Sequence, residues 1–156
     1  IIIGAASLAQ GINLTDNDWE FTGAAGGVLT SGGANTTIDD VLGTTLANGT
    51  NLLVSNDLTW NNANDLVVGN FGYGSLTIEG DSNLAADEIF VGRENGSVGE
   101  VTVTGANSSL TATRNVNTGI FIIGNDGGTG TINVLAGADL RTTSTSGNDI
   151  WVGVGA

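Results

Sequence analysis

The chain has 156 residues, 40% of them hydrophobic, and a formal charge of −13 from 16 carboxylates against three basic residues. That apolar content argues against disorder, and that charge repels nucleic acid and anionic membranes. With no histidine and no cysteine, histidine-based nucleophilic triads, thiolate or imidazole zinc sites and a disulfide framework are excluded.

The length suits one domain with a core of its own. All three basic residues are arginine (Arg93, Arg114, Arg141), and the missing lysine removes a Walker-type phosphate loop. No stretch holds helical periodicity, and the abundant Gly, Asn and Thr are poor helix formers. No run approaches the ~20 apolar residues of a membrane-spanning helix, and Ile1-Ile2-Ile3 is too short, and lacks the basic lead, to be a signal peptide.

In chain order, Ile1-Ile2-Ile3-Gly4 reads as the tail of a repeat already under way, matching Ile123-Gly124 and Val152-Gly153. Gly11-Ile12-Asn13-Leu14 is expected as the second strand of a first copy. Trp19-Glu20-Phe21-Thr22 and Val28-Leu29-Thr30 read as short strands between glycine-rich turns. Asp39-Asp40-Val41-Leu42-Gly43 reads as a degraded opening strand. Asn51-Leu52-Leu53-Val54 and Asp57-Leu58-Thr59-Trp60 are two further strands. Residues 1–65 are thus irregular rungs, punctuated every few positions by turn residues.

From Leu66 a repeat is plain. An opening apolar strand ends at Gly69, Gly92, Gly124 and Gly153, with spacings of 23, 32 and 29 residues. An alternating second strand follows at Leu76-Thr77-Ile78, Val101-Thr102-Val103 and Ile132-Asn133-Val134. A third follows at Leu84-Ala85-Ala86, Leu110-Thr111-Ala112 and Leu140-Arg141-Thr142. A unit of this length with variable insertions (Thr113–Thr118, Thr143–Asn148) signals a solenoid. The expected fold is all-β: a parallel β-helix, or β-solenoid, of three short strands per rung. Residues 1–156 form one solenoid, regular over 66–156, and the chain is expected to be part of a longer array. The missing prolines agree, because interior rungs need every backbone N–H.

Strand alternation assigns the faces. Thr77, Thr102 and Asn133 point outward as a polar ladder, between inward columns of branched residues. In the opening strand the residues two before each glycine, Val67, Phe90, Ile122 and Trp151, also point outward. Four stacked apolar residues are unusual there. Either loops from the insertions cover them, or they form an exposed apolar stripe that serves as a partner surface.

At these residues the chain resembles the glycine-rich repeats of bacterial autotransporter passenger domains. The matching residues are Val68-Gly69 with Gly74-Ser75-Leu76-Thr77-Ile78 and Gly80, Val91-Gly92 with Gly99 to Gly105, and Ile123-Gly124 with Gly130 to Gly137. The resemblance covers 66–156 well and 1–65 loosely. It implies a right-handed β-helix secreted to the cell surface, serving in adhesion or self-association, and the hand agrees with the general bias of parallel crossovers. Nothing in the sequence corresponds to that family's membrane barrel or serine-protease module.

Chemistry beyond this rests on carboxylates and aromatics. The neighbours Asp39/Asp40 and Asp87/Glu88 face opposite ways on a strand, and Glu79/Asp81 sit at a glycine corner, so solvated turn charges outweigh a glycosidase pair. Asn125-Asp126-Gly127-Gly128-Thr129-Gly130 faintly matches a calcium nonapeptide, but Ile132 stands where an aspartate belongs. Asp65, Asp87 and Asp149 recur before opening strands, and turn initiation outweighs metal binding for them. No cofactor is expected; calcium is the one ion left open. Trp19 and Trp60 are expected to fill core or corners, and Tyr73, between two glycines, to lie exposed in a loop.

The function expected is a non-enzymatic, extracellular structural or adhesive solenoid: a surface adhesin passenger segment, secreted to the bacterial cell surface. Its expected partners are copies of itself or neighbouring chains, with glycans or a host surface next; nucleic acid and membrane insertion of this segment are excluded. The alternative is a self-assembling extracellular filament subunit, joined end to end or through the Val67/Phe90/Ile122/Trp151 stripe. Behind both stands a polysaccharide-degrading β-helix enzyme.

Overall fold

A computed structural model describes residues 1–8, 11–41, 43, 48–114, 121–145 and 150–155. These residues form sixteen strands: β1 Ile2–Leu8, β2 Asn13–Leu14, β3 Asp18–Ser31, β4 Thr36–Ile38, β5 Thr50–Ser55, β6 Thr59–Asn62, β7 Leu66–Val68 and β8 Tyr73–Ile78, followed by β9 Asn83–Ala86, β10 Ile89–Val91, β11 Val98–Thr104, β12 Ser109–Ala112, β13 Phe121–Asn125, β14 Thr129–Leu135, β15 Asp139–Thr142 and β16 Ile150–Val154. No helix occurs among the described residues.

The strands stack in parallel as a β-solenoid of about five turns. Opening strands β2, β4, β7, β10, β13 and β16 make one sheet. Second strands β3, β5, β8, β11 and β14 stack on a second face. Third strands β6, β9, β12 and β15 stack on a third face, which β3 joins by running on around the corner. Rungs therefore lie about 4.8 Å apart along the axis, the ordinary hydrogen-bonded strand spacing.

Register is strict, so each inward column is made of equivalent residues. One runs Leu52, Leu76, Val101, Ile132; the next runs Val54, Ile78, Val103, Val134. Trp60, Leu84, Leu110 and Leu140 stack on the third face. Opening strands add Ile38, Val68, Val91 and Ile123. Apart from Ile123 and Val134, the latter 42% exposed, they make one continuous core. In β8 and β11 burial follows the alternation read from sequence, whereas in the opening strands Val67 and Ile122, read as outward, are buried as well.

The corner after opening strands β7, β10 and β13 is built by two glycines. Gly69, Gly92, Gly124 and Gly153 share φ of +70°, +71°, +70° and +68°, a region closed to most side chains. A few residues on, the in-register Gly74, Gly99 and Gly130 press against the rung below: a Cβ there would collide with the Ile38, Val68 and Val91 carbonyl oxygens respectively.

The first 65 residues correct several expectations. Ile1–Gly4 does not join the opening column; β1 lies along β3, pairing Ile2 with Thr22 and Ile3 with Gly23. Asn13–Leu14 is an opening strand, pairing with Thr37–Ile38, not a second strand. The two strands expected around Trp19 and Val28 are one, because β3 runs round its corner with a register shift at Gly26 and Gly27 in place of a turn. The second rung opens at Thr36–Ile38, so Asp39–Val41 follows the opening strand and does not form it. Tyr73 is buried within β8, not exposed in a loop. Leu42, Ile120, Asp149 and residues 115–118 and 146–148 of the two insertions lie outside the described residues.

Gly99→Ala is expected to destabilise the solenoid by about 2–3 kcal/mol, since its methyl must displace a backbone carbonyl. Gly4→Ala, which meets nothing within 4 Å, is expected to shift stability by less than about 0.5 kcal/mol. Urea unfolding of both variants checks the contrast.

Candidate interaction surfaces

The four residues of the apolar stripe do stand one above another. Val67 pairs with Phe90, Phe90 with Ile122 and Ile122 with Trp151. The column continues downward through polar Thr37 and Asn13. Its exposure is uneven: Val67 is 1% exposed, Ile122 8% and Trp151 36%. Phe90 is half-buried, with the Arg93 guanidinium carbon 4.7 Å from its ring centroid, a cation–π contact. The column is therefore not an open apolar strip over its length, and Trp151 on the outermost strand is its accessible end.

The polar ladder is likewise in register. Thr77 pairs with Thr102 and Thr102 with Asn133; the first two are half-buried and Asn133 is exposed. Below Thr77 the same column holds Leu53 and then Glu20. The ladder thus turns apolar at Leu53, and a second polar column runs beside it. There Asp18, Asn51 and Ser75 stack, with Asn51 Nδ2 donating to Asp18 Oδ1 at 2.8 Å and Ser75 Oγ donating to Asn51 Oδ1 at 2.6 Å. Sequence reasoning missed this column. The signal was present, since Asn51 and Ser75 lie two residues before Leu53 and Thr77 and so share their face.

No family model, curated protein or solved structure matches the chain. The reading of its surfaces therefore rests on their own geometry.

The carboxylate pairs are dispersed. Asp39 occupies the place after Ile38 where later rungs have a corner glycine, and it is buried. Its Oδ1 accepts the N–H groups of Asn70 and Gly72 at 2.9 Å each, and its Oδ2 accepts that of Phe71 at 3.1 Å. One side chain of the second rung thus pins the first loop of the third. The pinned loop holds Phe71 outward, 58% exposed, beside a hollow of about 250 Å³ that Val41 and Thr37 also line.

Glu88 is buried against Arg114, with which it pairs, while Asp87 lies 4.0 Å from the same guanidinium. Burial raises the Glu88 pKa above its ordinary 4.5; Arg114 opposes this, and Asp65 and Asp87 reinforce it. Glu79 is half-buried and Asp81 exposed, at a turn where Gly80 has positive φ. Tyr73 is pushed up to about 12, by burial first and the neighbouring Glu100 carboxylate second. No group of three or more potential metal-binding side chains occurs among the described residues.

The two terminal faces of the stack are apolar. At one, β1, Leu14, Phe21 and Leu29 surround a cavity of about 390 Å³. At the other, inward residues that would be buried in a middle rung are open, with Ile150 55% and Val152 73% exposed. β14, β15 and β16 each pair on one side only among the described residues.

Asp39→Ala strands three backbone donors, that of Gly72 buried and those of Asn70 and Phe71 part-buried, each costing about 1–3 kcal/mol at most when unpaired. Amide hydrogen exchange at Asn70, Phe71 and Gly72 is expected to accelerate at least tenfold, with β11 and β12 protected as before. For Glu88, the raised folded pKa means the protonated form favours the native state below about pH 4.5. That contribution is lost as pH rises through the folded pKa. Glu88→Gln should therefore gain stability relative to the parent as pH increases from 4 to neutrality, read from melting curves across that range; a constant difference refutes it.

Proposed function

We propose that this chain is a non-enzymatic structural and adhesive segment of an extracellular β-solenoid, displayed at a bacterial surface in the manner of autotransporter passengers. The observation that carries the proposal is the parallel, in-register stack of rungs, which lines up equivalent residues of successive rungs in columns on the outer faces. Such a stack presents side chains in columns at ~4.8 Å intervals, which suits extended contact with another surface. The commitment of Asp39 to a loop and of Glu88 to Arg114 supports a non-enzymatic reading, since two of the carboxylates most shielded from solvent have structural partners. Its partners on this reading are other cells, neighbouring chains or copies of itself.

The test is display of the folded chain on bacteria stripped of their own adhesins. Clumping or adherence to a cell monolayer is the expected result, and folded chain on the surface with neither behaviour sinks the proposal.

A second reading, a self-assembling filament subunit, is supported by the alignment of Val67, Phe90, Ile122 and Trp151 in one apolar column. Sedimentation velocity over a dilution series, with negative-stain microscopy of the same samples, is expected to show concentration-dependent growth in that case. Trp151→Ser is expected to weaken growth and leave the melting temperature unchanged; a variant that assembles like the parent removes the stripe from the account.

A further inference from the structure

The outer face of the second-strand sheet carries an open groove of about 450 Å³ across β3, β5 and β8. Its floor is Leu53 and Thr77, register neighbours that both point outward and are half-buried. One wall is the column Asp18, Asn51 and Ser75, tied side chain to side chain at 2.8 and 2.6 Å. Those bonds hold the wall in one arrangement before any ligand arrives. Ser75 and Thr77 alternate outward along β8 and Glu79 follows just past its end, its N–H donating to the Val54 carbonyl, so Glu79 stands on the far side of the floor from Ser75. The distance from wall to wall is roughly 13 Å, four residues of strand.

The chemistry of the lining narrows the ligand. Asp18 and Glu79 bring two carboxylates, which accept hydrogen bonds and donate none. No arginine lines the groove. The ligand must therefore bring several donors and no negative charge. The Leu53 side chain and the Thr77 methyl group ask for an apolar surface between those donors. A pyranose ring has this pattern: hydroxyl groups around the rim and a C–H face across the middle. A basic peptide would satisfy the carboxylates, but the shallow floor gives its side chains no pocket to enter.

We propose that this groove binds a neutral, hydroxyl-rich oligosaccharide, its C–H face on Leu53 and Thr77 and its hydroxyls donating to Asp18 and Glu79. The proposal rests on the adhesive reading and specifies what that surface takes hold of. Binding is weak per site and gains strength by repetition on a surface carrying many copies.

The probes are maltohexaose, cellohexaose, chitohexaose and a mannohexaose, titrated into the whole chain and followed by NMR shift changes of the β5 and β8 amides. At least one is expected to bind at those amides, with an affinity unchanged between low and high salt, because the contacts are not ion pairs. Asp18→Asn and Glu79→Gln are each expected to weaken it about tenfold, the value of one hydrogen bond to a charged group. Leu53→Asn is expected to weaken it by a similar factor. All three positions are at least partly exposed, so unchanged melting curves verify the fold. The proposal is overturned if no probe binds, if binding survives all three substitutions, or if an oligo-arginine peptide binds in a salt-sensitive way where the sugars do not. Displayed chains that adhere without any sugar binding sink the groove alone. Sugar binding by chains that neither clump nor adhere sinks the adhesive reading and leaves the groove standing.

Discussion

The structure depends on a close approach of backbone to backbone at one corner of each regular rung. Where the opening strand ends, the chain turns through a glycine at positive φ and then lays a second glycine against a carbonyl oxygen of the rung beneath. Neither position tolerates a Cβ, the first because of its dihedral angle and the second because of the oxygen. With that corner closed, the second strands β8, β11 and β14 start at the same height. The columns Leu76–Val101–Ile132 and Ile78–Val103–Val134 then follow without further instruction. Hydrophobic burial supplies the driving force, but the corner decides which residue stands on which.

This explains why residues 66–156 were legible in the sequence and residues 1–65 were not. Each regular corner leaves a mark, a Val-Gly or Ile-Gly followed by a second glycine, and strand alternation assigns the faces from there. The second rung closes the same corner by other means. Asp39 replaces the first glycine and Thr50 the second, and the carboxylate satisfies backbone donors of the next loop. The first rung omits a turn, with β3 carrying straight round. Neither device has a periodic signature, so the strands were found approximately while their places in the rung were not. Tyr73 was misplaced for a related reason: glycines on both sides suggested a loop, whereas they are the sites where the chain grips its neighbour.

The surface columns show a similar division. That Val67, Phe90, Ile122 and Trp151 align, and that Thr77, Thr102 and Asn133 align, follows from register alone. Their exposure does not, because it depends on what neighbouring side chains do: Arg93 lies over Phe90, and Val67 is buried. The polar wall of Asp18, Asn51 and Ser75 arises where an irregular rung meets a regular one, so no repeat advertises it.

Nearly identical rungs raise a problem of counting. A chain that slid along its own stack by one whole rung would still match leucine to leucine and valine to valine, and would lose little. The interior of the early rungs is not interchangeable in this way. Buried Asn62 accepts from Ser31 Oγ at 2.9 Å and from Thr36 Oγ1 at 3.0 Å, while donating to the Asn64 carbonyl at 2.7 Å; Trp60 Nε1 donates to Ser31 Oγ at 2.9 Å. Later rungs place Ala86 and Ala112 on the same inner face, with nothing to offer an amide. A single buried polar side chain is known to set register in coiled coils at some cost in stability. Here the Asn62 cluster acts as the zero mark on a ruler whose other graduations are alike, so that a miscounted stack is penalised at one end and the repeats beyond it fall into place.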